Sequence, residues 1–184
     1  AEQVYEKEKS NSTMINILSH IVEFRNGESG MHVLHIQTAT DILLHTLVQK
    51  TDKYHLTAAD ISLISTASAL HDIGKINIPE SILNKPDRLT KEEFEVMKTH
   101  STIGSEILEK LPFQQESDLV KTAYAICRWH HERWDGHGYP DGLKGEQIPI
   151  AAQVVSLADV YDALTSERCY KKAFDHDTAV KMIL

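Results

Sequence analysis

Two adjacent histidines, His130 and His131, close a helical pattern and open HHERWDGHGYPDGLKGEQIP (130–149), a stretch with four glycines. Elsewhere the chain offers a His71-Asp72 pair, His100, Asp159, and Glu28 with His32 four residues later. A lone inward histidine is ordinarily a core residue with one hydrogen-bond partner. Seven or eight imidazoles and carboxylates turned inward together are a different matter, because each buried titratable group costs several kcal/mol of desolvation unless something compensates. Bound cations remove that difficulty. A mixed nitrogen and oxygen donor set without thiolates suits iron, manganese or zinc, and more than four candidate ligands imply two or more ions.

The elements that must carry these residues read as helices. Apolar positions recur at helical spacing, and little strand-like alternation is present. Met14, Ile17, Leu18, Ile21 and Val22 mark a first helix ending near Asn26-Gly27. Ile36, Ala39, Leu43 and Leu47 mark a second, and Ile64, Ala67 and Leu70 a third that ends at His71-Asp72 with Gly74 as its stop. A fourth starts at Thr90, with Glu93 completing a capping box, and runs through Phe94, Met97 and Ile107. Leu119, Ala123, Ile126 and Cys127 mark a fifth, and Pro149 opens a sixth through Val154, Val155, Ala158 and Leu164. The expected fold class is therefore all-α, a helical bundle with the glycine-rich loop after the fifth helix. Five separate helices present His or carboxylate on faces that should look inward.

Composition narrows the functions. The 184 residues are 41% hydrophobic and 25% charged, as expected of one well-cored domain. A net charge of −8 argues against general attraction to duplex nucleic acid. No long apolar run predicts a membrane segment and no leader is visible, so a cytoplasmic location is expected. Cys127 and Cys169 lack the spacing of a thiolate site. Both ends read as cut: residues 1–26 are expected to form a linker helix from an upstream sensory or receiver domain, and 27–184 the catalytic domain.

These residues carry a family resemblance. HDIGK (71–75), His100, HHERWDGHGYP (130–140), GLKGEQIP (142–149) and ADVYDALTSERCYKK (158–172) resemble the HD-GYP domain, the phosphodiesterase branch of the HD superfamily that degrades cyclic di-GMP in bacteria. The resemblance implies an HD-type bundle in which His71, Asp72, His100, His130, His131 and Asp159 bind metal, Asp72 bridging two ions. Glu28 and His32 match the pair that adds a third ion in trinuclear members. Two or three divalent ions are thus implied, iron or manganese first, with zinc, nickel and magnesium also admissible. Asp72 and Lys75 are the implied catalytic pair, and Lys75, Tyr139, Asp162, Arg168 and Lys171 the implied substrate contacts.

In two places the chain departs from the family pattern: Ser29 follows Glu28 where a Thr is usual, and His35 stands where an Arg is usual. The implied activity is opening of a cyclic dinucleotide to linear pGpG and onward to GMP, with cyclic di-GMP preferred and 3′,3′-cyclic GMP-AMP as the alternative. A non-catalytic sensing module that recruits a protein through the GYP loop, and a homodimer, are the other implied arrangements.

Overall fold

The computed structural model describes residues 2–27, 30–112, 117–167 and 172–184, with side chains from residue 12 onward. Eight α-helices and two 3-10 turns make up the regular structure, and no strand occurs among the described residues. In order they are α1 (Glu2–Arg25), α2 (His32–Lys50), α3 (Ala58–Ser68), a 3-10 turn (Ile73–Asn77), α4 (Glu80–Leu83), α5 (Lys91–Glu109), α6 (Asp118–Trp129), a second 3-10 turn (Gly145–Gln147), α7 (Ile150–Thr165) and α8 (His176–Ile183). The all-α expectation holds. The glycine-rich loop follows the sixth helix rather than the fifth, because the four-residue α4 is too short to show a periodicity.

Local chemistry sets the boundaries. Thr57 and Thr90 each accept a hydrogen bond from the backbone N–H three residues on, at Asp60 and Glu93, whose carboxylates return the bond to the cap residue. Pro149 stands one position earlier than expected, as the N-cap of α7. The core is built from Ile36 and Leu44 of α2, Ile61, Ile64 and Ala67 of α3, Ala123, Ile126 and Cys127 of α6, and Val155 and Ala158 of α7.

Three expectations change. α3 stops at Ser68, so His71 and Asp72 lie in the turn that follows it and Gly74 sits inside the first 3-10 turn instead of terminating a helix. On α5 the buried face is His100, Ser101, Gly104, Ser105 and Leu108, while Phe94 and Ile107 are exposed. On α1 the inward residues are Ile15, Ser19, Val22 and Glu23, and Met14, Ile17, Leu18 and Ile21 point outward.

The α5 result has a steric cause. A Cβ placed on Gly74 would lie 1.9 Å from the His100 carbonyl oxygen and 2.5 Å from the Gly104 nitrogen. Backbone therefore meets backbone where the 3-10 turn crosses α5, and Gly74 and Gly104 meet there without side chains between them. The crossing brings Asp72 against His100. From the other side, the Arg25 guanidinium at the end of α1 donates to the carbonyls of Lys75, Ile76 and Ile78 at 2.9, 2.6 and 2.7 Å. The turn is thus clamped between α5 and α1.

A methyl group at position 74 has nowhere to go. Gly74→Ala is expected to destabilise the fold by about 2–4 kcal/mol through overpacking, read as a lower denaturant midpoint at unchanged slope; a midpoint equal to that of the unsubstituted chain would contradict the crossing.

Candidate metal centre

His71, Asp72, His100 and His130 are buried, at 9% exposure or less, and His131 is half-buried. Each of the first three histidines is held by its own backbone. His71 Nδ1 donates to Ser68 O at 2.9 Å, His100 Nδ1 to Met97 O at 2.7 Å, and His130 Nδ1 to Ile126 O at 2.9 Å. That bond places the Nδ1–H of each ring on its own backbone, so Nε2 is the atom left to face the cavity, and on a neutral ring it carries the lone pair. His100 Nε2 and His130 Nε2 face each other at 3.5 Å. With both Nδ1 atoms already donating, neither neutral Nε2 carries a proton to share, and this contact is two acceptors aimed at one point.

Asp72 lies between two sets of such atoms. Its Oδ1 is 3.3 Å from His100 Nε2 and 3.8 Å from His130 Nε2, while its Oδ2 is 3.3 Å from His71 Nε2 and 2.6 Å from Lys75 Nζ. Two groups of potential ligands result: Asp72 with His100, His130 and His131, and Asp72 with His32 and His71. Within each group the ligand atoms lie within 4.8 Å of one another, and Asp72 is common to both. His71 Nε2 and Asp72 Oδ1 are buried without a hydrogen-bond partner. A donor set that is convergent, thiolate-free and short of hydrogen bonds fits divalent cations, and it fits two sharing one carboxylate better than one.

Electrostatics agree with the geometry. Burial and the neighbouring imidazoles push His130 down to about 4 and hold His131 well below the ordinary histidine range; burial lowers His100 as well. These rings are neutral at neutral pH. Burial also opposes charge on His71, but the adjacent Asp72 carboxylate overrides it and raises this ring to about 9. Burial works against charge on Asp72 too, yet Lys75 and His71 keep it well below its usual range. One proton, on His71, and the Lys75 ammonium stand in for cations.

The remaining expected residues fall around this cluster. Asp159 of α7 is half-buried, with Oδ1 3.9 Å from His32 Nε2. Asp162, one turn further, is buried; its Oδ2 accepts from His32 Nδ1 at 2.7 Å and its Oδ1 from His35 Nδ1 at 2.7 Å and Ser166 Oγ at 3.0 Å. Both oxygens of Asp162 are therefore occupied within the protein. Tyr139 stacks on His131, with ring centroids 4.8 Å apart, and Lys98 Nζ stands 5.7 Å above the Tyr139 ring. Glu28, Arg168 and Lys171 lie outside the described residues.

Sequence reasoning did not single out Glu132. Its Oε1 accepts from the backbone N–H of Asp141 at 2.7 Å and of Gly142 at 3.0 Å, folding the glycine-rich loop back over the end of α6. A Cβ on Gly138 would lie 2.3 Å from the Arg133 nitrogen, so the loop can close this tightly only with glycine there. Asp141 is held in turn by Arg128 at 2.7 and 2.8 Å and by Trp129 Nε1 at 2.8 Å. The position of Glu132, next to two histidines and before the loop, was the available signal.

A family model for the HD domain matches residues 13–184, and the chain belongs to that family. A probable cyclic di-GMP phosphodiesterase of Vibrio cholerae is 40% identical over 97% of this chain and 41% of its own length. A cyclic di-GMP phosphodiesterase of Thermotoga maritima is 39% identical over 86% of this chain and 40% of its own. A 3′3′-cGAMP-specific phosphodiesterase 2 of Vibrio cholerae is 39% identical over 90% of this chain and 29% of its own. The chain thus spans well under half the length of these relatives. No helix among the described residues is long and apolar enough to cross a membrane.

The shifted histidines give the metal-free fold a pH optimum. His130, lowered to about 4 from an ordinary 6.5, stays neutral when folded, so its contribution is lost as pH falls through that interval. His71, raised to about 9, is charged when folded, so its contribution is lost as pH rises from 6.5 to 9. The melting temperature of chelator-treated protein should therefore peak near pH 6.5 and fall on both sides; a monotonic profile from pH 4 to 9 would refute the assignment.

Proposed function

We propose that the chain is the catalytic part of a metal-dependent phosphodiesterase that hydrolyses a cyclic dinucleotide, cyclic di-GMP in preference. The observation that carries this reading is the single Asp72 carboxylate shared by two buried ligand groups, in a chain whose relatives of about 40% identity are named cyclic dinucleotide phosphodiesterases. His100, His130 and His131 would hold one ion and His32 and His71 another, with Asp72 common to both and Asp159 beside His32. Glu28 remains the candidate for a third ion. Iron or manganese is the expected metal.

When bound, such ions supply Lewis acidity toward a phosphodiester and make water nucleophilic near neutral pH. The chain's own residues do the rest. The backbone carbonyls of Ser68, Met97 and Ile126 and the carboxylate of Asp162 hold four imidazoles in their ligating tautomer. Lys75 is poised beside Asp72 to neutralise charge developing on the scissile phosphate and its leaving 3′-oxygen. Arg25 keeps the turn carrying Asp72 and Lys75 in place by holding three of its carbonyls. Tyr139, stacked on the His131 ring, is the proposed contact for a guanine base, and Arg168 and Lys171 are the proposed anchors of the second phosphate.

The 3′3′-cGAMP-specific relative supports a second substrate, 3′,3′-cyclic GMP-AMP, with the same chemistry. An upstream sensory or receiver domain, a protein partner at the GYP loop and a cytoplasmic location complete the proposal.

Mass analysis after incubation with each cyclic dinucleotide and with linear triphosphates decides the reading. Linear pGpG from cyclic di-GMP is expected, and cleavage of the triphosphates alone would overturn it. Asp72→Ala should lose turnover and metal content together. Lys75→Met should keep its metal while kcat falls about 10²–10³-fold, the size of losing one charge-stabilising group; metal loss in Lys75→Met, or full activity in Asp72→Ala, would break the division of roles.

A further inference from the structure

The catalytic reading gives Tyr139 a task and leaves its two α5 neighbours, Phe94 and Lys98, without one. Phe94 meets the Tyr139 ring edge to face, with centroids 6.4 Å apart and planes at 84°, while His131 stacks on the same tyrosine at 4.8 Å. Lys98 follows Phe94 by four residues, one turn of α5, so the two side chains share a side of the helix. The Lys98 ammonium lies 5.6 Å from the Phe94 centroid and 5.7 Å from that of Tyr139.

A lysine ordinarily extends its ammonium into water. This one is lodged: its side chain is only 26% exposed, and its charge is set over two rings, whose π density attracts a cation. Its carboxylate partner Glu95, at 2.7 Å, is 68% exposed, and an ion pair so open to water holds weakly and exchanges readily. Beside the His131 ligand candidate there is thus a corner made of aromatic surface and one cation whose partner can be exchanged.

Two kinds of ligand group could meet that cation: a phosphate oxygen, or the acceptor edge of a base. Phosphates are already provided for, since Lys75 stands beside Asp72 and the second phosphate is assigned above to Arg168 and Lys171. The surroundings of Lys98 are rings, and rings select a planar base over a tetrahedral phosphate. Among bases, the charge then chooses. Guanine carries two acceptors side by side, O6 and N7, which a lysine can engage together; adenine places an amino donor at N6 where guanine has O6, so an ammonium there gains one acceptor and meets one repulsion.

We propose that Lys98 is a specificity-determining residue: with a base against Tyr139, its ammonium exchanges Glu95 for the O6 and N7 edge of guanine, and guanine is thereby favoured over adenine. The proposal rests on Tyr139 as the base contact, and it adds which base is chosen and by what group.

Isothermal titration of the purified chain with 5′-GMP and with 5′-AMP tests this, because neither holds a phosphodiester to be cleaved and each brings a single base. GMP is expected to bind about tenfold more tightly than AMP. Lys98→Met keeps the apolar stem on both rings without the charge, and should bring the two affinities together by weakening GMP alone. Lys98→Arg, whose guanidinium can still donate to both acceptors, should keep the preference. Lys110→Met removes an equal charge at the end of α5 and should change neither affinity. A wild-type chain that binds the two alike or binds neither, a Lys98→Met chain that weakens both equally, or one that keeps the GMP preference would each overturn the proposal. Cleavage is read separately. A GMP preference that follows Lys98 in a chain that cleaves no cyclic dinucleotide would leave this inference standing and remove the catalytic one; cleavage with a preference indifferent to Lys98 would do the reverse.

Discussion

A carboxylate buried among imidazoles is the constraint around which the domain is built. Asp72 has three histidine Nε2 atoms within 4 Å and Lys75 Nζ at 2.6 Å, in surroundings that penalise any unpaired charge. Such a centre stays assembled only if each ring is prevented from rotating and each segment from sliding. Carbonyls of the preceding helical turn lock His71, His100 and His130. The contact of Gly74 with the His100 carbonyl and Gly104 leaves no freedom in how the 3-10 turn meets α5, and Arg25 closes the turn from the far side. The facing Nε2 atoms of His100 and His130 have no proton between them, a contact that a bound cation would relieve.

The glycine-rich loop follows the same logic with different means. It has no helix of its own beyond one 3-10 turn, so side chains organise it: Glu132 takes two of its backbone N–H groups, and Asp141 is gripped by Arg128 and Trp129. These contacts hold Tyr139 flat on His131, one of the ligand candidates. A rigid loop on a rigid helix end can place an aromatic face within the tolerance that recognition of a planar base demands.

The motif residues were legible because their types are expensive to bury, which makes inward placement without a purpose improbable. His71, Asp72, His100 and His130 do converge, from the ends or middles of different elements. What periodicity could not show is the surface each stripe faces. On α5 the apolar Phe94 and Ile107 suggested the inner face, whereas the buried residues are His100, Ser101, Gly104, Ser105 and Leu108, with the backbone of His100 and Gly104 at the close crossing of Gly74. On α1 the more apolar stripe is the outer one, and the inner face includes Ser19 and Glu23. A hydrophobic pattern establishes that a face is apolar; whether its own domain covers it depends on contacts distant in sequence. Arg25 and Glu132 were missed for that reason, since an arginine at a helix end and a glutamate before a loop look alike whether solvated or clamping a backbone.

The departure at position 35 bears on the His32 side of the centre. The family pattern would place an arginine there; this chain has a half-exposed imidazole donating to Asp162 Oδ1 at 2.7 Å. A guanidinium would set a permanent positive charge against that carboxylate. The imidazole instead gives Oδ1 a single N–H, and Oδ2 accepts from His32 Nδ1 at 2.7 Å. A histidine whose Nδ1–H donates to a carboxylate presents a more basic Nε2 on its other side. The Asp162 carboxylate thereby joins two imidazoles of α2 to α7, and the ring of His32 is held against α7 through it.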